Sequence, residues 1–272
     1  MSTAHLDKQQ RPDGHEERHL TDPSSPWWGV HAARYHFAAA YVDGCRVLDV
    51  ACGSGYGLSI LQARANMVIG VDIDLQTVIN VRAGLPRGSS EVIVADGLNL
   101  PFEDKSFDAI ISFETVEHLE QRAGFLAELR RLLAPKGTCI ISTPNANHTL
   151  PVNGKPQNPY HVYEYTPQEL HLELSNHFPD VTMLGQVLDK RFVIPPFWDE
   201  QERLSGQGRM RAHVLFWRAL NKLPFASVRD RVSRALWGQP FLPQEADYHF
   251  KETDVEMAPV LVALCRQDSS PA

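Results

Sequence analysis

The feature that most constrains this chain is a short apolar run that breaks into glycines: RVLDV at residues 46–50, followed by ACGSGYG at 51–57. A run of that length suits a buried strand. Gly53, Gly55 and Gly57 permit a tight turn and close backbone approach at the start of a helix. The alternation then repeats. YGLSILQARA (56–65) spaces Leu58, Leu61 and Ala65 for a helix, MVIGVD (67–72) reads as a strand and DLQTVINVRAG (74–84) as a helix. EVIVAD (91–96), FDAIISF (107–113) and GTCIIST (137–143) continue the strands. Between the last two, Phe125, Leu126, Leu129, Leu132 and Leu133 mark an amphipathic helix closed by Pro135 and Gly137. Strands alternating with helices imply an α/β fold with a mostly parallel sheet, because parallel neighbours need crossover connections.

Outside this core the pattern changes. Residues 1–26 are polar and read as a mobile arm, leaving 27–272 as one domain. HAARYHFAAAYV (31–42) suits a helix. Thr166, Pro167 and Glu169 form a capping-box start for a helix over 166–178, which leaves NPYHVYEY (158–165) as a loop before it. VTMLGQV (181–187) reads as a strand. Residues 190–250 break the rhythm with PPFW (195–198) and amphipathic stretches at 213–223 and 232–238. They are expected to form a helical insertion that covers the ligand edge or makes a contact between subunits of a homo-oligomer. VEMAPVLVALC (255–265) is expected to be the closing strand.

Composition excludes several classes of function. A net charge of −7 disfavours nucleic acid as a partner, since duplex binding requires a cationic surface. No apolar run has membrane-spanning length, and the N-terminal segment is too polar for a signal peptide. Cys45, Cys52, Cys139 and Cys265 form no C-x-x-C pair, which fits reduced thiols in a cytoplasmic protein.

Open parallel sheets bind ligands beyond the carboxyl ends of their strands. Asp49 lies inside the first strand, before the glycines. Facing a pyrophosphate it would be repelled, whereas a cationic amino-acid group would welcome it. Asp72 ends the second strand and can accept from two ribose hydroxyls. Asp96 ends the third, placed for an adenine amino group. A nicotinamide-dependent oxidoreductase is the first rival reading. It is disfavoured by Asp49 and by the lack of a clean G-x-G-x-x-G. A non-catalytic sensor is the second rival.

From about Cys45 to Gln186 the chain resembles the class I S-adenosylmethionine-dependent methyltransferases. The resemblance rests on DVACGSGYG, the GVD strand end, the AD-G-LPF-D-SFD stretch (95–108) and LRRLLAPKGTCIISTPN (129–145). It implies a Rossmann-like three-layer fold over a cofactor core at 42–187, with a seven-stranded sheet whose last strand is antiparallel. It implies S-adenosylmethionine as cofactor, contacted by Asp49, Gly53, Gly55, Asp72, Ile73, Asp96 and Gly97, with Ile73 packing on adenine.

After the fourth strand comes FETVEHLE. A helix starting there would place Glu114, Glu117 and His118 on one face at the ligand edge, with His161 in the loop after the fifth strand. Such a set can hold a divalent cation, Mg or Mn, which would lower the pKa of an acceptor hydroxyl. The E-x-x-E-H pattern with a later His is similar to the metal site of small-RNA 2′-O-methyltransferases and ubiquinone-pathway O-methyltransferases, with His148 competing against His161 for the last place. Without a metal, the acids would only stabilise the helix start through its dipole. His118 would then be the catalytic base beside Glu117. ERHL, H-x-x-RY-x-x-A (31–38) and NPYHVYEYTPQEL add a resemblance to bacterial methyltransferases of glycan and glycoside pathways. That implies O-methylation of a small-molecule acceptor, a sugar or glycoside, with a non-sugar metabolite (a phenol or an amine) as the alternative acceptor. Arg34 and Tyr35 are placed to close over the cofactor or acceptor, or Arg34 is merely an exposed helix residue. Trp27, Trp28, Phe197 and Trp198 are expected to pack in the core or at a dimer contact rather than to stack on sugar faces.

Overall fold

Strand periodicity sorts the core. In β1 (Arg46–Val50), Val47 and Asp49 point to one face of the sheet, Leu48 and Val50 to the other, and all four are buried. The computed structural model of the chain describes residues 25, 27–86, 90–192, 219–220 and 225–267. The alternation then runs through α2 (Tyr56–Gln62), β2 (Met67–Asp72), α3 (Leu75–Gly84), β3 (Glu91–Val94) and β4 (Phe107–Phe113). It continues with α4 (Arg122–Leu132), β5 (Leu133–Pro144), a single turn α5 (Ala146–Thr149), α6 (Pro167–Ser175) and β6 (Asp180–Leu188). The last elements are α7 (Ala226–Trp237), β7 (Tyr248–Lys251) and β8 (Val260–Arg266). Before them all lies α1 (Trp28–Ala38), which begins three residues earlier than the Ala-rich run suggests.

The sheet has eight strands in the order β3-β2-β1-β4-β5-β8-β6-β7. β1 to β5 are mutually parallel, while β8 runs antiparallel to both β5 and β6. This is the expected three-layer architecture, with one strand more than expected. The extra strand, β7, falls at the end of the segment anticipated as helical and pairs antiparallel with β6, forming the edge of the sheet. Of that segment, α7 is helical as anticipated. PPFW and most of 213–223 lie outside the described residues, as do residues 1–24.

Two boundaries differ from the sequence reading for local reasons. The segment before β8 is a 3-10 turn at Val255–Met257, and the strand starts only after Pro259, which has no N–H to give a ladder. The buried Asn145 amide pins that turn by donating to the carbonyls of Val255, Glu256 and Ala258. β5 begins directly at the end of α4, with a register slip between its pairs to Phe107 and Ala109 and with Lys136 at φ 64°. At α6 the capping box forms as read, with Thr166 and Glu169 bonding reciprocally.

Helices cover both faces. Tyr35, Ala38, Leu58, Leu61, Val78 and Val81 pack on one side against Val47, Val68, Ala109 and Ile111. Phe125, Leu126, Leu129, Leu132, Leu170 and Leu174 pack on the other against Leu48, Ile110, Cys139 and Ile141. Cys52, Cys139 and Cys265 are buried free thiols, and Cys45 is half-buried and free. No helix among the described residues is long and apolar enough to cross a membrane. The chain moves outward from β1 to β3 and then returns to β4 on the other side of β1. That reversal opens a crevice at the carboxyl ends of β1 and β4.

Candidate active site

The glycine turn lines one side of this crevice. Gly53 and Gly55 take φ of 53° and 75°, a region where a side chain would be strained. The Asp72 carboxylate braces the turn. Its Oδ2 accepts the Gly53 N–H at 3.0 Å and its Oδ1 accepts the Asp74 N–H at 2.9 Å. Ile73 follows, 63% exposed, an apolar side chain uncovered at a strand tip. Asp96 is exposed beyond β3, accepting the Leu98 N–H at 2.9 Å. A Cβ on Gly97 would come within 3.0 Å of the Phe125 ring. The acids expected to meet a cofactor thus stand on the tips of three adjacent strands.

Asp49 is fully buried, and the Tyr35 hydroxyl donates to it at 3.1 Å. Burial pushes its pKa up to about 7; the Tyr35 hydrogen bond opposes this, and the charge of Asp72 adds to it. Tyr35 belongs to α1, and its ring fills the space beside Gly57, where a Cβ would lie 2.1 Å away. Tyr56 and Phe113 meet that ring edge-on, at 5.2 and 5.0 Å. Trp28 packs tilted against Tyr56 at 5.2 Å, and Trp27 is exposed.

Arg34 is no surface residue: it is 1% exposed. Its guanidinium donates to Gln186 Oε1 at 3.3 Å and to His31 Nδ1 at 2.5 Å, and it pairs with Glu114 Oε1 at 3.3 Å. Burial, reinforced by the Arg34 charge, holds His31 well below the usual histidine range, so its Nδ1 is free to accept. Helix α1 therefore ties the cofactor edge to the loop after β4.

That loop departs from the expected helix. Glu114 takes φ 50°, and its N–H donates to the Ser142 carbonyl at 3.1 Å, extending the β4–β5 ladder. Only a 3-10 turn follows, Val116–His118. Glu114 consequently stands outside the group that the other two form with His161. Its Oε1 accepts from the Ser142 hydroxyl at 2.8 Å and faces Arg34.

Glu117, His118 and His161 do come together, with ligand atoms all within 4.8 Å of one another. Glu117 is fully buried. Its Oε2 accepts from the Thr143 hydroxyl at 3.0 Å, while Oε1 has no hydrogen-bond partner among the described residues. Burial, and next the charge of Glu114, push its pKa well up. Its backbone carbonyl accepts the N–H groups of Val162 and Tyr163 at 2.7 and 3.1 Å, which draws in the loop bearing His161. His118 donates from Nδ1 to the Tyr160 carbonyl at 2.9 Å. The two imidazoles stand nearly perpendicular, 4.9 Å apart. His148 is outside this group; burial lowers its pKa.

Sequence reasoning passed over Thr143, Asn158 and Glu164. His161 bonds Glu164 through Nδ1 at 2.7 Å and meets the Asn158 amide at Nε2 at 2.9 Å. The i, i+3 spacing of His161 and Glu164 within NPYHVYEY was the available signal.

Comparison with known proteins bears on the fold and its relatives. Residues 48–141 match the family model of a methyltransferase domain. The chain is 36% identical over 165 residues to a Mycobacterium tuberculosis protein named "Probable S-adenosylmethionine-dependent methyltransferase", covering 60% of each chain. It therefore spans about three fifths of that relative's length. It is 34% identical over 122 residues to a fatty-acid O-methyltransferase of Mycolicibacterium smegmatis, covering 43% of this chain and 44% of that one. The fold superposes on an S-adenosylmethionine-dependent methyltransferase crystal structure from Thermotoga maritima with a TM-score of 0.55 at 15% identity, over 89% of this chain and 93% of that one. The described architecture is that of the class I S-adenosylmethionine-dependent methyltransferase fold.

Proposed function

We propose that the protein is an S-adenosylmethionine-dependent O-methyltransferase whose acceptor hydroxyl is received at Glu117, His118 and His161, with a divalent cation, Mg or Mn, as cofactor. One observation carries this reading. A fully buried carboxylate, with one oxygen unpartnered among the described residues, faces two imidazoles in the crevice beside the acid-tipped strands. An orphaned buried carboxylate oxygen is costly, and a cation or a donating hydroxyl would offset that cost.

The donor set, one carboxylate oxygen and two imidazole nitrogens, fits Mn and, less tightly, Mg. When bound, such an ion lowers the pKa of an acceptor hydroxyl. The chain's own residues do the rest. Asp49 and Asp72 hold the cationic amino acid and the ribose, Asp96 the adenine, and Ile73 covers it. The Tyr160 carbonyl accepts from His118 Nδ1, so the one lone pair of neutral His118 lies on Nε2. With a cation bound it is a ligand and the acidified hydroxyl releases its proton to water; without one it is suited to take that proton itself. The acceptor oxygen then bonds to the methyl carbon as the carbon–sulfur bond breaks. Holding those atoms in line contributes on the order of 7 kcal/mol. Buried Arg34, paired with the half-buried Glu114, fixes the wall between the two halves of the site.

The acceptor is a small molecule with neighbouring oxygens, and a sugar or glycoside is the first reading. A hydroxylated lipid is the second. The name of the fatty-acid relative supports it, as do exposed Leu150, Val152, Tyr160 and Val162 on the segment that carries His161. The test is transfer of labelled methyl to parallel panels of glycosides and hydroxylated lipids, with and without EDTA. Transfer to neither panel would remove the acceptor reading. Failure to bind S-adenosylhomocysteine in calorimetry would remove the activity itself.

A further inference from the structure

We infer that Glu164 is a positioning residue that locks His161 in the tautomer needed at the acceptor site. This rests on the reading of Glu117, His118 and His161 as that site.

Glu164 lies on the loop between β5 and α6 and is buried. A carboxylate only accepts, so the 2.7 Å contact from Glu164 Oε1 assigns the proton of a neutral His161 to Nδ1. The lone pair then sits on Nε2. Asn158 reports the same assignment. Its Oδ1 accepts the Tyr160 N–H at 3.1 Å, which turns its Nδ2 toward His161, and that amide nitrogen meets Nε2 at 2.9 Å. An amide N–H donates and Nε2 accepts, so both sides of the ring agree. The second oxygen of Glu164 is also committed, to the Thr149 hydroxyl at the end of α5. Glu164 is thus held from two elements and cannot swing away while Thr149 stays in place.

A carboxylate behind an imidazole fixes the ring and raises the basicity of the far nitrogen. One ring nitrogen of His161 lies within 4.8 Å of the ligand atoms of Glu117 and His118, and with Nδ1 committed to Glu164 the far nitrogen is the one left to serve that group. Asn158 occupies the lone pair with a weak donor, which a cation or an acceptor hydroxyl would replace.

The test measures Mn²⁺ binding by calorimetry to the full-length wild type, Glu164→Gln and His161→Ala. Glu164→Gln keeps an acceptor but loses the charge, and its Mn²⁺ affinity is expected to fall about tenfold or more. Its affinity for S-adenosylhomocysteine should be unchanged. Uptake by wild type with equal uptake by Glu164→Gln overturns the positioning role. No uptake by wild type overturns the metal reading of the site instead. A second measurement needs no variant: long-range ¹⁵N–¹H spectra of the wild type read the tautomer of His161 directly. A protonated Nδ1 with a bare-type Nε2 shift supports the inference, and a protonated Nε2 overturns it.

Discussion

The hydroxyl of Tyr35 donates to the buried carboxylate of Asp49 at 3.1 Å, joining helix α1 to the strand that ends in the glycine turn. The partner of Asp49 in the free protein is therefore a neutral donor. Its pKa of about 7 follows, because burial disfavours the anion and Tyr35 only partly compensates.

A pH dependence of cofactor binding is the first consequence. The folded value lies above the ordinary 3.8, so between that pH and about 7 the free folded protein holds a proton that the unfolded chain has released. Stability from this group is complete below 3.8 and is lost as pH rises through that window. The α-ammonium group of the cofactor, which S-adenosylhomocysteine shares, favours the anion and expels the proton. Its affinity should rise by up to about tenfold per pH unit below 7 and level off above. Calorimetry of S-adenosylhomocysteine at pH 5.5–8, in buffers of different ionisation enthalpy, reads the proton release. Asp49→Asn should abolish the dependence.

Asp72 does two jobs at once, since the same carboxylate that would receive the ribose braces the turn at Gly53 and Asp74. Asp72→Ala should weaken S-adenosylhomocysteine binding by about 2 kcal/mol or more, as expected for lost hydrogen bonds to a charged group. Unchanged affinity in a titration would remove Asp72 from the site.

Gly57 is set by the Tyr35 ring. Gly57→Ala should destabilise the protein by about 1–3 kcal/mol through overpacking, despite alanine's better helix propensity. Thermal denaturation of Gly57→Ala, Tyr35→Ala and the double variant checks this. The double variant should be markedly less destabilised than the sum, and strict additivity would mean the two do not touch.

His118→Ala should suppress turnover by about 10²–10⁴-fold while sparing cofactor affinity. Exhaustive EDTA should abolish activity, and Mn²⁺ should restore it. Activity that survives the chelator would leave His118 as an unassisted base.

Much of the fold was legible in the chain itself. The unbroken apolar run of RVLDV, buried on both faces of the sheet, the helical spacing of Leu58 and Leu61 and the Thr166 capping box are local rules, and the structure obeys them. Acidic residues at strand ends could be placed because parallel sheets put strand ends on one edge. The departures arise where distant segments compete. FETVEHLE has helical spacing, but the Glu114 N–H is claimed by Ser142, 28 residues away, and the helix never starts. Glu114 then goes to Arg34, a residue whose burial no local pattern revealed.

The sequence by itself thus determined the sheet, the glycine turn and the acids at its tips, because each depends on neighbours a few residues apart. Only the tertiary structure decided which of four candidate ligands meet. His118 and His161 lie 43 positions apart, and the backbone carbonyl of Glu117, accepting from Val162 and Tyr163, is what brings their loops together.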